Sequence, residues 1–447
     1  MAVRGEFSSK IGFVLAAAGS AIGLGNIWGF PIQVAENGGG AFVFTYIVLT
    51  FLLAYPILMA ELIIGRYSKK DTVSSILAVS NTSTRPIAYL TGYWGIVTAS
   101  LILSFYAIVA GWVVAYFISN IAQLLGWSEA VEWLKTDSLL RNIIFCSLFY
   151  ILTIKIVASG VTSGIEKWST RLMPILIALM ILLISYIATL PGAMQGWKIY
   201  LQPDFSQVMN PSLVIDALGQ AFFSLSLGVG TMMVYGSYIS KSENLPKLGA
   251  IVAVLDIAIA FLAGLLVIPA MYVALNNGVE IFDQAGNLVK SGGLIFAVLP
   301  SLFETIGFVG YLLGILFFAL LSIAALTSSI SMLEVPVAYV SETHNQGRQK
   351  AAYLVGSLVY IISVVIIFNF ALLFDRVVTF TTVYSEPLIG LLFCLFVGWV
   401  WKRNKILQEI KSGYPDAEKS LFWKIWPRYV QFVCPFMMIV IFWHTFS

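Results

Sequence analysis

Two stretches of this sequence set glycines and small polar residues inside apolar surroundings: Gly19-Ser20-Ala21-Ile22-Gly23-Leu24-Gly25-Asn26 and Ser224-Leu225-Ser226-Leu227-Gly228-Val229-Gly230. A glycine costs a helix interior about 1 kcal/mol relative to alanine, so Gly23-Leu24-Gly25 and Gly228-Val229-Gly230 each favour an unwound turn. Unwinding frees backbone N–H and C=O groups, which can hold an anion or a small hard cation without a charged side chain. In an apolar medium those groups must be met by protein, water or ligand, so a break persists only beside a cavity. Asn26 and Pro31 follow the first break, and Ser224 and Ser226 precede the second. The spacings Gly19-x-x-x-Gly23 and Gly25-x-x-x-Gly29 also fit close packing of membrane helices, but the polar neighbours weigh towards a site. Gly23-x-Gly25 is not a dinucleotide loop, because no βαβ pattern surrounds it.

The elements that carry these stretches follow from composition. Of 447 residues, 59% are apolar and 11% charged, against about a quarter charged in a soluble domain. That excludes a water-soluble enzyme, and 25 basic against 22 acidic residues exclude a nucleic-acid partner. Cys146, Cys394 and Cys434 lie in apolar runs and offer no disulfide framework; His344 and His444 are too few for a metal site. The pattern predicts an all-α polytopic membrane protein in a single domain, 1–447. A span needs about 20 mostly apolar residues. Charged or turn-rich breaks then give eleven spans, near 11–35, 41–65, 86–122, 142–163, 171–197, 211–239, 248–276, 307–340, 351–374, 377–401 and 429–446. The first is a span rather than a cleaved signal, since no cleavage site follows it. The segment 290–306 reads as re-entrant or interfacial. With the amino terminus inside, 20 Lys and Arg fall in inner loops and 5 outside, which predicts a cytoplasmic amino terminus and an extracellular carboxyl terminus in the cell inner membrane. Breaks at matching places in two halves point to an inverted-repeat transporter with its site between them.

The residues quoted resemble the neurotransmitter:sodium symporter family, in its bacterial eleven-span branch with the leucine-transporter fold. The resemblance rests on Gly19 to Trp28 with Phe30-Pro31, Glu36-Asn37-Gly38-Gly39-Gly40-Ala41-Phe42, Glu61 with Gly65-Arg66-Tyr67, Gly219 to Gly228, and Leu326-Thr327-Ser328-Ser329. It implies two inverted five-helix repeats, 11–197 and 211–401, with 429–446 as an extra span. It also implies two sodium ions and one small-molecule L-amino acid near the membrane midplane, and no organic cofactor. The first sodium site would use the Ala21 carbonyl, Asn26, Ser224 and Asp256. The second would use the Gly19 and Ile22 carbonyls with Ala324, Thr327 and Ser328, the last three sharing one helix face. The substrate carboxylate would meet the Leu24 and Gly25 amides and the Tyr106 hydroxyl. Its amine would meet the Ala21 and Phe223 carbonyls and Ser226. Ile102, Phe223, Val229, Ser328 and Met332 would line an apolar side-chain pocket suited to a hydrophobic or aromatic amino acid.

Several positions depart from the family pattern. Asp256 stands where Asn is common, near Tyr46, Gln220 and Ser224, so its charge is expected to replace chloride. Gly29 occupies the place of the outer-gate Arg, leaving Tyr106 over Phe223, with Glu386 a candidate acidic partner. At the inner end Arg4 and Glu342 match a gate pair, with Phe7 and Tyr238 beside them. Gly164 and Pro174 bracket Glu166, Lys167, Trp168 and Arg171 in the fifth span and could let it unwind, or form an ordinary polar collar. The expected activity is sodium-coupled uptake by alternating access; the alternative is a non-transporting membrane sensor with the same site. No acid, His or Cys constellation supports an enzyme.

Overall fold

The computed structural model describes residues 5–208, 210–281 and 294–446; no strand occurs among them. Nine of their helices are long and apolar enough to cross a membrane. A tenth span is a bent pair, α1 (Lys10–Ala21) and α2 (Gly25–Glu36), which meet at 52°. The nine are α3 (Gly40–Ser68), α5 (Arg85–Leu124), α7 (Leu139–Ala158), α8 (Val161–Ile187), α12 (Leu245–Asn276), α14 (Phe308–Thr343), α15 (Arg348–Phe368), α16 (Phe370–Val400) and α18 (Leu421–Trp443). Shorter helices are α4 (Thr72–Val79), α6 (Ser128–Lys135), α9 (Ala193–Leu201), α13 (Ile295–Ile306) and α17 (Arg403–Lys411). The expected span 211–239 appears as α10 (Pro211–Ser224) and α11 (Thr231–Ser237), separated by six non-helical residues. The chain is thus an all-α polytopic membrane protein.

Three boundaries differ from the sequence reading, each for a local reason. The turn between the fourth and fifth spans lies at 159–160, where Gly160 takes φ +104°. The fifth span therefore begins at Val161 rather than near 171, and Glu166, Lys167 and Arg171 lie inside it. That helix stops before Pro191-Gly192, with Gly192 at φ +95°, so α9 is a separate element rather than its end. Between the ninth and tenth spans the break sits at Asn369, whose amide donates to the Val365 carbonyl (3.1 Å). Asp375 and Arg376, read as a loop, are helical. Of the segment 290–306, residues 294–306 form the short α13 and its lead-in, and 290–293 lie outside the described residues.

The second broken span packs against α3 by backbone contact. A Cβ on Gly65 of α3 would lie 1.9 Å from the Met233 carbonyl oxygen of α11, and one on Gly236 would lie 2.7 Å from the Leu62 carbonyl oxygen. The α3 and α11 backbones therefore touch, as small residues allow in membranes. The long helices α5 and α14 run together beside them and close the core. Helix propensity alone favours Gly65→Ala by about 1 kcal/mol, yet the contact with the Met233 carbonyl opposes it. We expect Gly65→Ala to lower the thermal unfolding midpoint in detergent; a midpoint at or above that of the parent would refute the close packing.

Candidate functional site

In the first broken span, Ile22 leaves the helix at φ −81°, ψ 94°. The chain re-enters at Gly25 through a widened turn over Gly25–Gly29, a distortion often found at functional sites. In the second, Ser226, Gly228 and Gly230 take φ values of +51°, +77° and +79°. The two glycines adopt this region freely, whereas Ser226 carries strain of about 1–3 kcal/mol. Freed backbone groups are met by side chains. Leu24 N donates to the Tyr106 hydroxyl (2.9 Å), Gly228 N donates to Glu61 Oε1 (2.8 Å), and Gln220 Nε2 donates to the Gly25 carbonyl (2.7 Å).

One cluster of oxygens gathers where α14 crosses the first break. The Ser328 hydroxyl lies 3.3, 3.1 and 3.3 Å from the carbonyls of Gly19, Ser20 and Ile22. The Ser226 hydroxyl donates to the same Ser20 carbonyl (3.2 Å). A single hydroxyl hydrogen cannot serve three carbonyls, so the cluster has acceptor capacity to spare for a small cation. Of the residues expected here, Gly19, Ile22 and Ser328 come together. Thr327 is beside them, its Cβ 3.2 Å from where a Gly19 Cβ would stand. Its hydroxyl hydrogen is directed to the Ile323 and Ala324 carbonyls of its own helix (3.1 and 3.0 Å), the usual habit of a helical threonine, which leaves the oxygen its lone pairs. The Ser20 carbonyl is a member that sequence reading missed.

A second cluster surrounds Asp256, which is fully buried in α12. Its carboxylate accepts from Asn26 Nδ2 (2.7 Å), the Ser224 hydroxyl (2.7 Å) and the Tyr46 hydroxyl (3.0 Å). Asn26 Oδ1 in turn accepts from Gly23 N (3.4 Å), so this amide bridges the break and the carboxylate. A cation between Asn26 and Asp256 would require the amide to turn its oxygen inward. Asn26, Ser224 and Asp256 are therefore together, as are Tyr46 and Ser224 beside the carboxylate. Gln220 is committed to the Gly25 carbonyl rather than to Asp256.

Outside these clusters lies a cavity of about 550 Å³, lined by Leu24, Tyr106 and Phe223 at its floor and by Trp28, Phe105 and Phe374 among its walls. Asp216 is the charged side chain on that lining. Ile102, Val229, Ser328 and Met332, expected to line the side-chain pocket, are buried and lie behind it. The reason is steric: a Cβ on Gly23 would sit 2.4 Å from Ser328 Oγ and 2.6 Å from the Tyr106 hydroxyl, so these groups already fill the space beside the break. Phe223 likewise covers Gly25, its Cδ1 lying 2.8 Å from where a Cβ there would stand. The substrate contacts expected of Ser226 and Tyr106 are held internally, by the Ser20 carbonyl and Leu24 N. Ala21 is buried at the end of α1.

Glu386, considered as an outer-gate acid, is not on the cavity wall. It is buried behind the second break, where its carbonyl oxygen is 2.0 Å from the place of a Gly228 Cβ. Its neighbour Pro387 lines the cavity instead.

The end of the bundle that carries the amino terminus is sealed. Phe7 packs edge-on against Phe13, Tyr235 and Tyr238, with centroids 5.6, 5.7 and 6.0 Å away, and its amide donates to the Tyr238 carbonyl (3.2 Å). Tyr238 donates to Glu334 Oε1 (2.5 Å), and Arg348 grips Glu334 with both terminal nitrogens (3.0 and 2.6 Å). Glu342 accepts from Asp71 N (2.9 Å), while Arg4 lies outside the described residues. Gly164 falls in a widened first turn of α8, and Pro174 lies within continuous helix. Sequence reading missed Glu334 and Arg348. The signal was present, since Glu334 is the one charge between Phe308 and Ser341, and an acid inside a span is functional by default.

The family model described as "Sodium:neurotransmitter symporter family" matches residues 4–144 and 138–447. The sodium-dependent transporter YhdH of Bacillus subtilis is 35% identical over 457 aligned positions, covering 98% of this chain and 96% of its own. The sodium- and chloride-dependent taurine transporter of Canis lupus familiaris is 26% identical over 483 positions, covering 94% and 76%. The crystal structure of MhsT in complex with L-phenylalanine is similar with a TM-score of 0.85 at 35% identity, over 98% of this chain and 99% of that one.

The Glu334–Arg348 pair yields a test of the sealed end. Removing one partner of a fully buried pair costs about 3–5 kcal/mol. Because the Arg348 side chain is 25% exposed, solvent screens part of the loss. Glu334→Gln should lower unfolding stability in detergent by about 2 kcal/mol; a variant as stable as the parent would show that the pair does not hold this end.

Proposed function

The chain belongs to the sodium:neurotransmitter symporter family, and we propose that it carries a hydrophobic or aromatic L-amino acid inward with two sodium ions by alternating access. The family is one of sodium-dependent transporters, not enzymes, and the chain crosses the membrane many times. The observation that carries the reading is the Ser328 hydroxyl beneath the Gly19, Ser20 and Ile22 carbonyls. Neutral oxygens with spare lone pairs at a helix break suit sodium, which needs oxygen ligands and little else. That cluster is the second sodium site; in the first, Asn26, Ser224, Asp256 and the Ala21 carbonyl would hold the other ion against the substrate carboxylate.

The substrate carboxylate would displace the Tyr106 hydroxyl from Leu24 N and take both as donors with Gly25 N. Its amine would lie at the Ala21 and Phe223 carbonyls near Ser226. For its side chain, Phe223 must swing off Gly25, opening the space towards Ile102, Val229 and Met332. Gly23 leaves no room for an acid that could pair an amine, which favours a substrate bearing its own carboxylate. That MhsT was crystallised with L-phenylalanine agrees with an apolar pocket.

Asp256 supports chloride-independent coupling. Three donors face its carboxylate, and in this reading the carboxylate takes the place of chloride beside the first sodium ion. In this reading the two repeats, 11–197 and 211–401, are inverted about the matched breaks. The open cavity faces outside, and the end sealed by Phe7, Tyr238, Glu334 and Arg348 faces the cytoplasm with the amino terminus. Unwinding between Gly164 and Pro174 would then admit water for sodium release. Two charges crossing 100 mV supply about 4.6 kcal/mol, which supports roughly a thousandfold accumulation.

Radiolabelled leucine, tyrosine and tryptophan offered to proteoliposomes with an inward sodium gradient test the proposal. Concentrative uptake that collapses without sodium is expected. Sodium-dependent binding without uptake would instead identify a sensor. Replacing chloride by gluconate should leave uptake unchanged; a loss would overturn the assignment of Asp256.

A further inference from the structure

The widened first turn of α8 is clasped by the amino-terminal segment through one side chain. Glu166 is 5% exposed. Its carboxylate accepts from Ser8 N (2.8 Å), the Ser8 hydroxyl (2.7 Å) and the Ser9 hydroxyl (3.3 Å). Ser9 is also the amino-terminal cap of α1, its oxygen accepting from Gly12 N (2.9 Å). Gly12 offers no side chain at this point, and a Cβ there would lie 1.7 Å from Glu166 Oε1. The segment is tied again where Thr162 Oγ1 donates to the Glu6 carbonyl (3.0 Å), and a Cβ on Gly5 would stand 3.0 Å from Val161. Residues 5–9 therefore lie along the turn 161–166.

That turn is the weak point of α8. Gly160 enters it at φ +104°, both Gly164 N and Ile165 N share the Gly160 carbonyl (3.1 Å each), and Gly164 lies so close to the fourth span that a Cβ there would be 2.1 Å from the Ile156 carbonyl oxygen. A buried carboxylate that loses its donors must find water or stay unsatisfied. Ser8 and Ser9 are themselves exposed, so their departure would pass Glu166 to water and leave the turn without the segment that holds it.

We propose that Glu166 is a positioning residue that couples the amino-terminal segment to the winding of the fifth span: docking of Ser8 and Ser9 keeps the turn helical, and their release frees it to open. This rests on the reading above that the sealed end opens during transport, and it assigns the order in which that end comes apart. The amino-terminal segment departs first, and the 161–173 stretch follows because its carboxylate has lost its partners.

Amide hydrogen exchange on the full-length protein in lipid nanodiscs, without sodium or substrate, tests the coupling. In Glu166→Gln, and separately in the Ser8→Ala/Ser9→Ala double variant, exchange over both 5–9 and 161–173 should rise together by about tenfold, while 245–276 stays as in the parent. Glu166→Asp keeps the carboxylate and should hold 161–173 within about threefold of the parent. Combining Glu166→Gln with the double variant should add no further increase, since both remove one clasp. Release of 5–9 with 161–173 still protected would overturn the proposal. So would loosening confined to 10–21, which would mark Glu166 as no more than a cap for α1. Because this comparison involves no transport, its failure is separable from failure of sodium-driven uptake.

Discussion

Every feature of the site depends on satisfying the backbone groups that two helix breaks release inside an apolar bundle. Water does not reach them freely, so each needs a designated partner. Tyr106 serves Leu24 N, Glu61 serves Gly228 N, Gln220 serves the Gly25 carbonyl, and Ser226 and Ser328 share the carbonyls of the α1 end. These partners come from α5, α3, α10, the second break and α14, so the breaks draw most of the bundle around themselves. The carbonyls outnumber the hydroxyl hydrogens that face them, and the proposed cation site would draw on that surplus.

The buried charges follow the same logic at different depths. Asp256 is surrounded by neutral donors, Asn26, Ser224 and Tyr46, with no basic side chain among them. Glu334 is held by Arg348 and Tyr238 and closes one end. Nearer the loops, buried Arg66 donates to Glu409 Oε1 (2.8 Å) and to the Glu243 carbonyl (2.6 Å), while Lys241 takes the other Glu409 oxygen (2.5 Å). That network joins α3, the 241–243 loop and α17 into a fixed platform. The centre thus holds a carboxylate among neutral donors, and the periphery holds ion pairs.

The asymmetry of the bundle is a matter of packing. Around the cavity the walls are mostly apolar, with Asp216 the charged member of the lining. Around Phe7, aromatic edges, a bidentate ion pair and the Glu166 clasp act together. At the cavity, the Phe223 ring lies over Gly25. The second end is held by several buried polar contacts in addition to aromatic packing.

Much was legible in the sequence because composition and local geometry impose it. Apolar runs set the number of spans, Gly23-Leu24-Gly25 and Gly228-Val229-Gly230 marked the breaks, and Asp256 stood out as an acid where lipid-embedded chains avoid one. Boundaries at 160 and 369 were less legible, since Glu166 is buried by its neighbours within a helix and the exposed Asp375 and Arg376 continue one rather than forming a loop. Other facts exist only in three dimensions. That the Ser20 carbonyl joins the oxygen cluster, that Glu334 pairs with Arg348 rather than facing lipid, and that Glu386 lies behind a break rather than at a gate all depend on contacts between distant segments. Sequence determines which backbone groups are freed and which side chains are able to meet them. Tertiary packing decides which of those partners arrive within hydrogen-bonding distance, because that depends on how closely glycine-lined helices approach one another.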